Sequence, residues 1–390
     1  TASTGDQWAT TVFRIKAARI TLIEPKIGIV GTVVTIEGLG FGTNAVTISF
    51  GTNLTITTTM PSAQGTFSTT FRVDTQPYNN PGTKTITATG LAEDGDSEHD
   101  TWNTVFKIIP SIKITPPSGP VGTNITITGA GYNYDSTFGS NDDQIKIQFG
   151  TYLIQRNFTE GDRRVSVNGT FSSSFVIDTQ PYGTTVVTII SYGDPVADTK
   201  LATSTFFITT NIISLTPKTA TVQSVITIQG TGYGNQKLIQ IDFGTKETIT
   251  TTISSTHGTF STTFITNTQV ANTQVITVTD IQNDIPGAQS TIIFQIQADI
   301  IVVNPSFGFV GEAVTVEGRG FGTECVRIDF GTHQTITTAI AGINGTFSVT
   351  FIINTQPAHT TVITAEGLIS GQRATTNIFQ IEPRFITLTP

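Results

Sequence analysis

The chain is predicted to be all-β, a tandem array of four small two-sheet sandwiches joined by short stiff connections. Three observations lead there. β-Branched residues dominate: about 77 of the 390 residues, roughly a fifth, are threonine, and Thr, Ile and Val favour pleated strands over helices. One ordered set of landmarks recurs four times along the chain. Within each recurrence apolar and hydroxyl residues alternate with period two, the spacing of a strand that buries one face.

The landmarks are specific. Phe-Gly pairs stand at Phe50-Gly51, Phe149-Gly150, Phe243-Gly244 and Phe330-Gly331. Each is followed by Gly-Thr-Phe, beginning at Gly65, Gly169, Gly258 and Gly345, and then by Thr-Gln, at Thr75, Thr179, Thr268 and Thr355. A closing aromatic strand lies around Phe106, Phe207, Phe294 or Phe379. Prolines open the units at 25, 116, 217, 305 and 390, with spacings of 91, 101, 88 and 85 residues. Such units are domain-sized, longer than the repeats of solenoids. Only 10 or 11 residues separate a closing Phe from the next opening Pro. No Gly/Ser or Pro-rich linker fits there, so neighbouring units should abut stiffly.

In the first unit seven strands are expected, at 20–23, 33–38, 45–50, 54–59, 66–73, 83–89 and 102–108. Seven strands in about 90 residues is the arithmetic of a two-sheet sandwich. The turns agree: Gln64-Gly65, Asn168-Gly169, His257-Gly258 and Asn344-Gly345 sit between alternating segments, where a tight hairpin requires positive φ. The domains are placed at 20–110, 111–210, 211–299 and 300–383. Residues 1–19 read as the closing strand of a preceding unit, because Trp8 to Ile15 matches Trp102 to Ile108. Residues 384–390 match the opening strand of a following one. Either the chain is a window on a longer repeat protein, or its ends are exchanged between subunits by strand addition.

Composition excludes several classes of function. With 20 basic and 28 acidic residues and a net charge of −8, the chain has none of the clustered Lys and Arg that grip nucleic acid, Arg163-Arg164 apart. No stretch of 18 apolar residues offers a membrane span. A single cysteine, Cys325, excludes an internal disulfide and a four-thiolate metal site. Charged residues are only 12% of the chain, about half the usual quarter.

The start of each unit carries a signature: Gly38-Leu39-Gly40-Phe41-Gly42, Gly129-Ala130-Gly131-Tyr132, Gly230-Thr231-Gly232-Tyr233 and Gly318-Arg319-Gly320-Phe321-Gly322. Together with the opening Pro25 and the Val30-Gly31 turn, this resembles the IPT/TIG family of immunoglobulin-like (Ig-like) domains, as found in tandem arrays on bacterial and archaeal surface proteins. The resemblance spans about 90% of the chain. It implies Ig-like sandwiches and an extracellular place, in a cell-surface fibre, filament or surface layer (S-layer). Its partners would be copies of itself or neighbouring repeats of the same long chain, with surface glycans as a further partner. Third-unit Val270 departs from the Asp/Asn-Thr-Gln-Pro-Tyr element seen at 74–78 and 178–182.

Reactive chemistry is sparse, and no enzyme is expected. Gly38–Gly42 would need a following helix to cradle phosphate, and a strand follows instead. His99, His257, His333 and His359 occupy different positions in their units and suit surface loops rather than a nucleophilic triad. Asp242 and Asp329 are equivalent positions of two units, hence repeated structure and not a catalytic pair. The alternating carboxylates Asp94, Asp96, Glu98 and Asp100 form the one oxygen-rich loop that suits calcium, with Asn141-Asp142-Asp143 and Asp194 to Asp198 weaker candidates. Five sequons, at Asn53, Asn124, Asn157, Asn168 and Asn344, are candidate glycan acceptors. The second unit carries about ten extra residues near 132–143 and 155–167, and insertions of that kind mark binding loops. The expected role is structural, with an adhesin or carbohydrate-binding stalk as the alternative.

Overall fold

The structure, a computed structural model, describes residues 18–76, 82–91, 99–132, 145–150, 152–153, 165–191, 200–281, 288–376 and 378–384. Among these residues every regular element is a strand. The first repeat contains β1 (Arg19–Glu24), β2 (Ile27–Gly28), β3 (Val33–Leu39), β4 (Val46–Phe50), β5 (Asn53–Thr59), β6 (Phe67–Arg72), β7 (Thr83–Leu91) and β8 (His99–Ile108). They form a three-stranded sheet, β1-β3-β6, facing a five-stranded sheet, β2-β8-β7-β4-β5. This is an Ig-like sandwich, and all seven expected strands are present.

Alternation builds the core. Along β4 Val46, Ile48 and Phe50 are fully buried while Thr47 and Ser49 face the other way. β3 does the same with Val34 and Ile36. At the hub Phe50 meets Phe71 of the facing sheet at 5.5 Å and Phe106 edge-on at 6.0 Å between ring centroids. The trio recurs as Phe149–Phe175–Phe206, Phe243–Phe264–Phe294 and Phe330–Phe351–Phe379. Edge-to-face rings place the positive rim of one against the negative face of another.

Four features depart from the sequence expectation. The opening strand is split. It leaves the three-stranded sheet at Pro25, which has no N–H to give the ladder, and resumes as β2 in the other sheet, parallel to β8. The switch recurs at Pro116, Pro217 and Pro305, each after a cis peptide bond, with parallel pairs Ser118–Pro120, Thr219–Thr221 and Phe307–Phe309 on the closing strands. The Gly-Thr-Phe turns have the expected positive φ, 70–71° at all four glycines. They do not close hairpins, however: β5 belongs to one sheet and β6 to the other, so the turn crosses the sandwich. In the second repeat the core residue of the closing strand is Phe206, fully buried, while Phe207 faces outward. Period two settles it, since Phe206 shares its face with buried Ile208. In the fourth repeat the larger sheet is in two pieces, one of strands 307–309, 379–382 and 360–361, the other of 333–340, 325–330, 363–367 and 373–375.

By packing, the described residues form two compact units. One runs to Pro117 and includes Asn124–Val176 and Thr184–Phe206; the other comprises Ser118–Thr123, Ile177–Gly183 and everything from Phe207 onward. Among the described residues no helix is long and apolar enough to cross a membrane.

Candidate functional site

The signature and the Gly-Thr-Phe turn meet at one end of each sandwich, the Phe-Gly turn and Thr-Gln at the other, and geometry explains their composition. A Cβ on Gly38 would stand 2.3 Å from the ring of Phe67, and the same holds for Gly129 with Phe171 (2.0 Å), Gly230 with Phe260 (2.4 Å) and Gly318 with Phe347 (2.3 Å). Only glycine lets that ring lie across the strand. The ring in turn packs edge-on against the aromatic of the signature, in the pairs Phe41–Phe67, Tyr132–Phe171, Tyr233–Phe260 and Phe321–Phe347, at 4.9–5.2 Å. The same aromatic residue donates its backbone N–H to the carbonyl of the Gly-Thr-Phe glycine, as Phe41 to Gly65 (3.1 Å), Tyr132 to Gly169, Tyr233 to Gly258 and Phe321 to Gly345 (3.0 Å each).

The Thr-Gln landmark has a second role. Gln76 is buried, 2% exposed. Its Nε2 donates to the Phe50 carbonyl at 3.2 Å and its Oε1 accepts from the Thr52 N–H at 2.8 Å. Gln269 repeats this on Phe243 and Thr245, and Gln356 on Phe330 and Thr332. Each amide therefore ties down the Phe-Gly turn. A Cβ on Gly51, Gly244 or Gly331 would fall 1.9–2.3 Å from the glutamine Oε1. The two landmarks recur together because one seats the other.

The loop after this glutamine meets the next repeat. In the second unit Tyr182 donates its backbone N–H to the Tyr233 carbonyl at 2.9 Å, and Ala271 donates to the Phe321 carbonyl at 3.0 Å. The acceptor in both cases is the carbonyl of the signature aromatic. A Cβ on Gly258 would come within 2.9 Å of the Pro181 Cα, and one on Gly345 within 2.9 Å of the Val270 Cα. At the joint of the first and second repeats, Gly169 of the second lies against the carbonyl of Gln76 of the first. The second signature glycine faces the end of the preceding closing strand: Gly131 faces Ile109, Gly232 Thr209 and Gly320 Gln297, each at the carbonyl oxygen. Tyr182 is further anchored by its ring, edge-on to Phe207 at 5.2 Å. The joint is thus a main-chain contact made possible by glycines. Sequence reading found its parts as landmarks but not their meeting, because the partners lie in different repeats.

The residues singled out for chemistry are dispersed. Asp94, Asp96, Glu98 and Asn157 lie outside the described residues, as do 141–143, 194–198 and most of the second-repeat insertions. Asp100 is placed in β8 by its backbone alone. Among the described residues no three His, Cys, Asp or Glu side chains gather in a metal-binding group. Asn124, Asn168 and Asn344 are exposed, and Asn53 is half-buried, its Nδ2 donating to Asp74 at 3.1 Å. His257, His333 and His359 are exposed, and Cys325 is a partly buried strand residue. Asp242 and Asp329 each accept from a backbone N–H at positive φ in their own hairpin, that of Thr248 (2.8 Å) and Thr335 (2.7 Å).

Burial and hydrogen bonding shift several ionisable groups. Burial pushes the Tyr233 phenol up to about 12, partly offset by its hydrogen bond to Ser290, and pushes Tyr132 above the ordinary range. Burial also raises Glu324, but donors from Ser370, Ile369 and Gly322 outweigh it and hold the carboxyl below its usual value.

No family model matches the chain, and no curated protein sequence matches it. Among solved structures it is similar to invasin, a bacterial integrin-binding protein, at 13% identity over 92% of this chain and 78% of that one, with a TM-score of 0.23. A tetra-tandem repeat from the extending region of a large adhesion protein aligns at 11% identity over 93% of this chain and all of that one, TM-score 0.23. The BSP domain of a biofilm-associated protein aligns at 10% identity over 96% and 99% of the two chains, TM-score 0.18.

Proposed function

We propose that the chain is a non-catalytic structural segment of an extracellular fibre, filament or surface layer, built from tandem Ig-like repeats of IPT/TIG type. The observation that carries this reading is the joint. A single residue separates the closing strand ending at Thr209 from the strand opening at Asn211, and likewise Gln297 from Asp299. Across those junctions the repeats also bond backbone to backbone. A chain that spends glycines on holding its repeats in contact is organised for shape rather than for turnover.

Lateral self-association is supported by a sheet edge of the first repeat. β5 is an edge strand of sequence Asn-Leu-Thr-Ile-Thr-Thr-Thr, with no charge along it, whereas soluble proteins guard their edges with charge. An adhesive role is supported by Ile340, Ile343 and Ile369, all more than 80% exposed on the fourth repeat. Immunogold electron microscopy of intact source cells with antibody to the repeats tests the reading. Label along surface filaments or a continuous layer is expected; label reached only after lysis overturns it.

A further inference from the structure

The junction of the third and fourth repeats carries a side-chain pair built from two exceptions. The turn after the split opening strand has glycine at positive φ in three repeats, Gly31 (92°), Gly122 (89°) and Gly311 (94°). The third repeat has Gln223 there, at φ 66°, a conformation that L side chains disfavour. The middle residue of the Gly-x-Gly signature is Leu39, Ala130 or Thr231 in the other repeats and Arg319 in the fourth. These two exceptions meet: Arg319 Nη1 donates to Gln223 Oε1 at 2.6 Å. The Arg319 side chain as a whole is 14% exposed and Gln223 is exposed, and the Arg319 Nη2 also pairs with Asp299 of its own repeat at 3.4 Å.

We propose that Gln223 and Arg319 form a side-chain latch that holds the joint between the third and fourth repeats beyond what the main-chain bonds supply. The surface around Arg319 is an interaction site whose partner is an Ig-like repeat carrying a side-chain acceptor on its positive-φ turn. Main-chain bonds such as Ala271 to Phe321 require no particular side chain and serve any repeat. Glycine at the turn would offer Nη1 no side-chain acceptor and leave the guanidinium with Asp299 alone. The charge on Arg319 strengthens the bond over a neutral one, which accounts for a residue kept in a disfavoured backbone region. This inference rests on the contact alone and is independent of where the array is displayed.

Amide hydrogen exchange on the full chain tests it, read at Ala271, whose N–H bridges the joint. Arg319→Leu and Gln223→Gly, each restoring the residue of another repeat, should speed Ala271 exchange about tenfold, as loss of a charge-assisted hydrogen bond implies. Gln223→Glu keeps an acceptor and should retain protection. The double variant should exchange no faster than either single one. Tyr182, at the preceding joint, and Ile328, in the fourth-repeat core, should not change. Unaltered Ala271 exchange in Gln223→Gly overturns the proposal. So does faster exchange that spreads equally to Ile328, which would make Arg319 a structural residue of its own repeat.

Discussion

Tyr132 and Tyr233 occupy the same signature position, both fully buried, yet only one has its hydroxyl paired among the described residues. Tyr233 shares a hydrogen bond with Ser290, whereas the Tyr132 hydroxyl has no partner there. Phenylalanine fills the site in the other two repeats as Phe41 and Phe321. Tyr132→Phe should therefore leave stability unchanged or raise it by up to about 1 kcal/mol, and Tyr233→Phe should cost about 1 kcal/mol. Paired urea titrations of the full chain check the opposite signs. A larger loss is expected at Gln269→Leu, which strips partners from the Phe243 carbonyl and the Thr245 N–H. Two backbone groups left unsatisfied place the cost at about 2–3 kcal/mol, read as a lower thermal midpoint of the third repeat.

Strands with five or more alternating residues were legible in the sequence, because burial of one face imposes period two on β3, β4 and β6 alike. The two- or three-residue parallel strands were not, since Ile27–Gly28 is too short to show a period. Sheet membership was also hidden: the turn at Gly65 reads as a hairpin locally, and only the pairing of β6 with β3 shows that it crosses the sandwich. The acidic turn binder of the fourth repeat was missed for the same reason. Glu324 sits just before the strand Cys325–Phe330 and receives the N–H groups of Ile369 and Ser370, 45 and 46 residues away. Its folded pKa lies below the ordinary 4.5. The stabilisation it gives is thus present above the unfolded pKa and is lost as pH falls through the folded one. Acidification from neutral pH should lower the midpoint of the fourth repeat below about pH 4.5. Glu324→Gln should flatten that dependence, as followed by calorimetry across the pH series.

At the scale of the molecule the candidate glycan acceptors differ in how free their side chains are. Three of the described sequon asparagines, Asn124, Asn168 and Asn344, present exposed side chains, whereas the amide of Asn53 is bonded to Asp74 and its Oδ1 accepts from Thr55. In a glycosylating host those three should be occupied ahead of Asn53, because transfer requires a free amide nitrogen; peptide mass spectrometry after enzymatic deglycosylation reads the order. The repeated architecture and the shortness of its joints were visible in the sequence, and the bonds across the joints were not, since a main-chain bond between repeats leaves no side-chain pattern to read.

The split opening strand has a mechanical consequence. In every repeat its second half lies beside the closing strand and runs parallel to it, as Gly28 beside Ile108 and Pro120 beside Thr209. The chain enters a repeat through the first half of the opening strand, passes into the second half, and leaves through the closing strand. Tension along the array therefore pulls the pair in opposite directions along their common axis. Parallel bonds slanted across such a pair are stretched together in shear, where a peeled hairpin would surrender them one at a time. Rupture then demands that the whole patch yield at once, so each sandwich resists extension at the ladder joining its first and last strands.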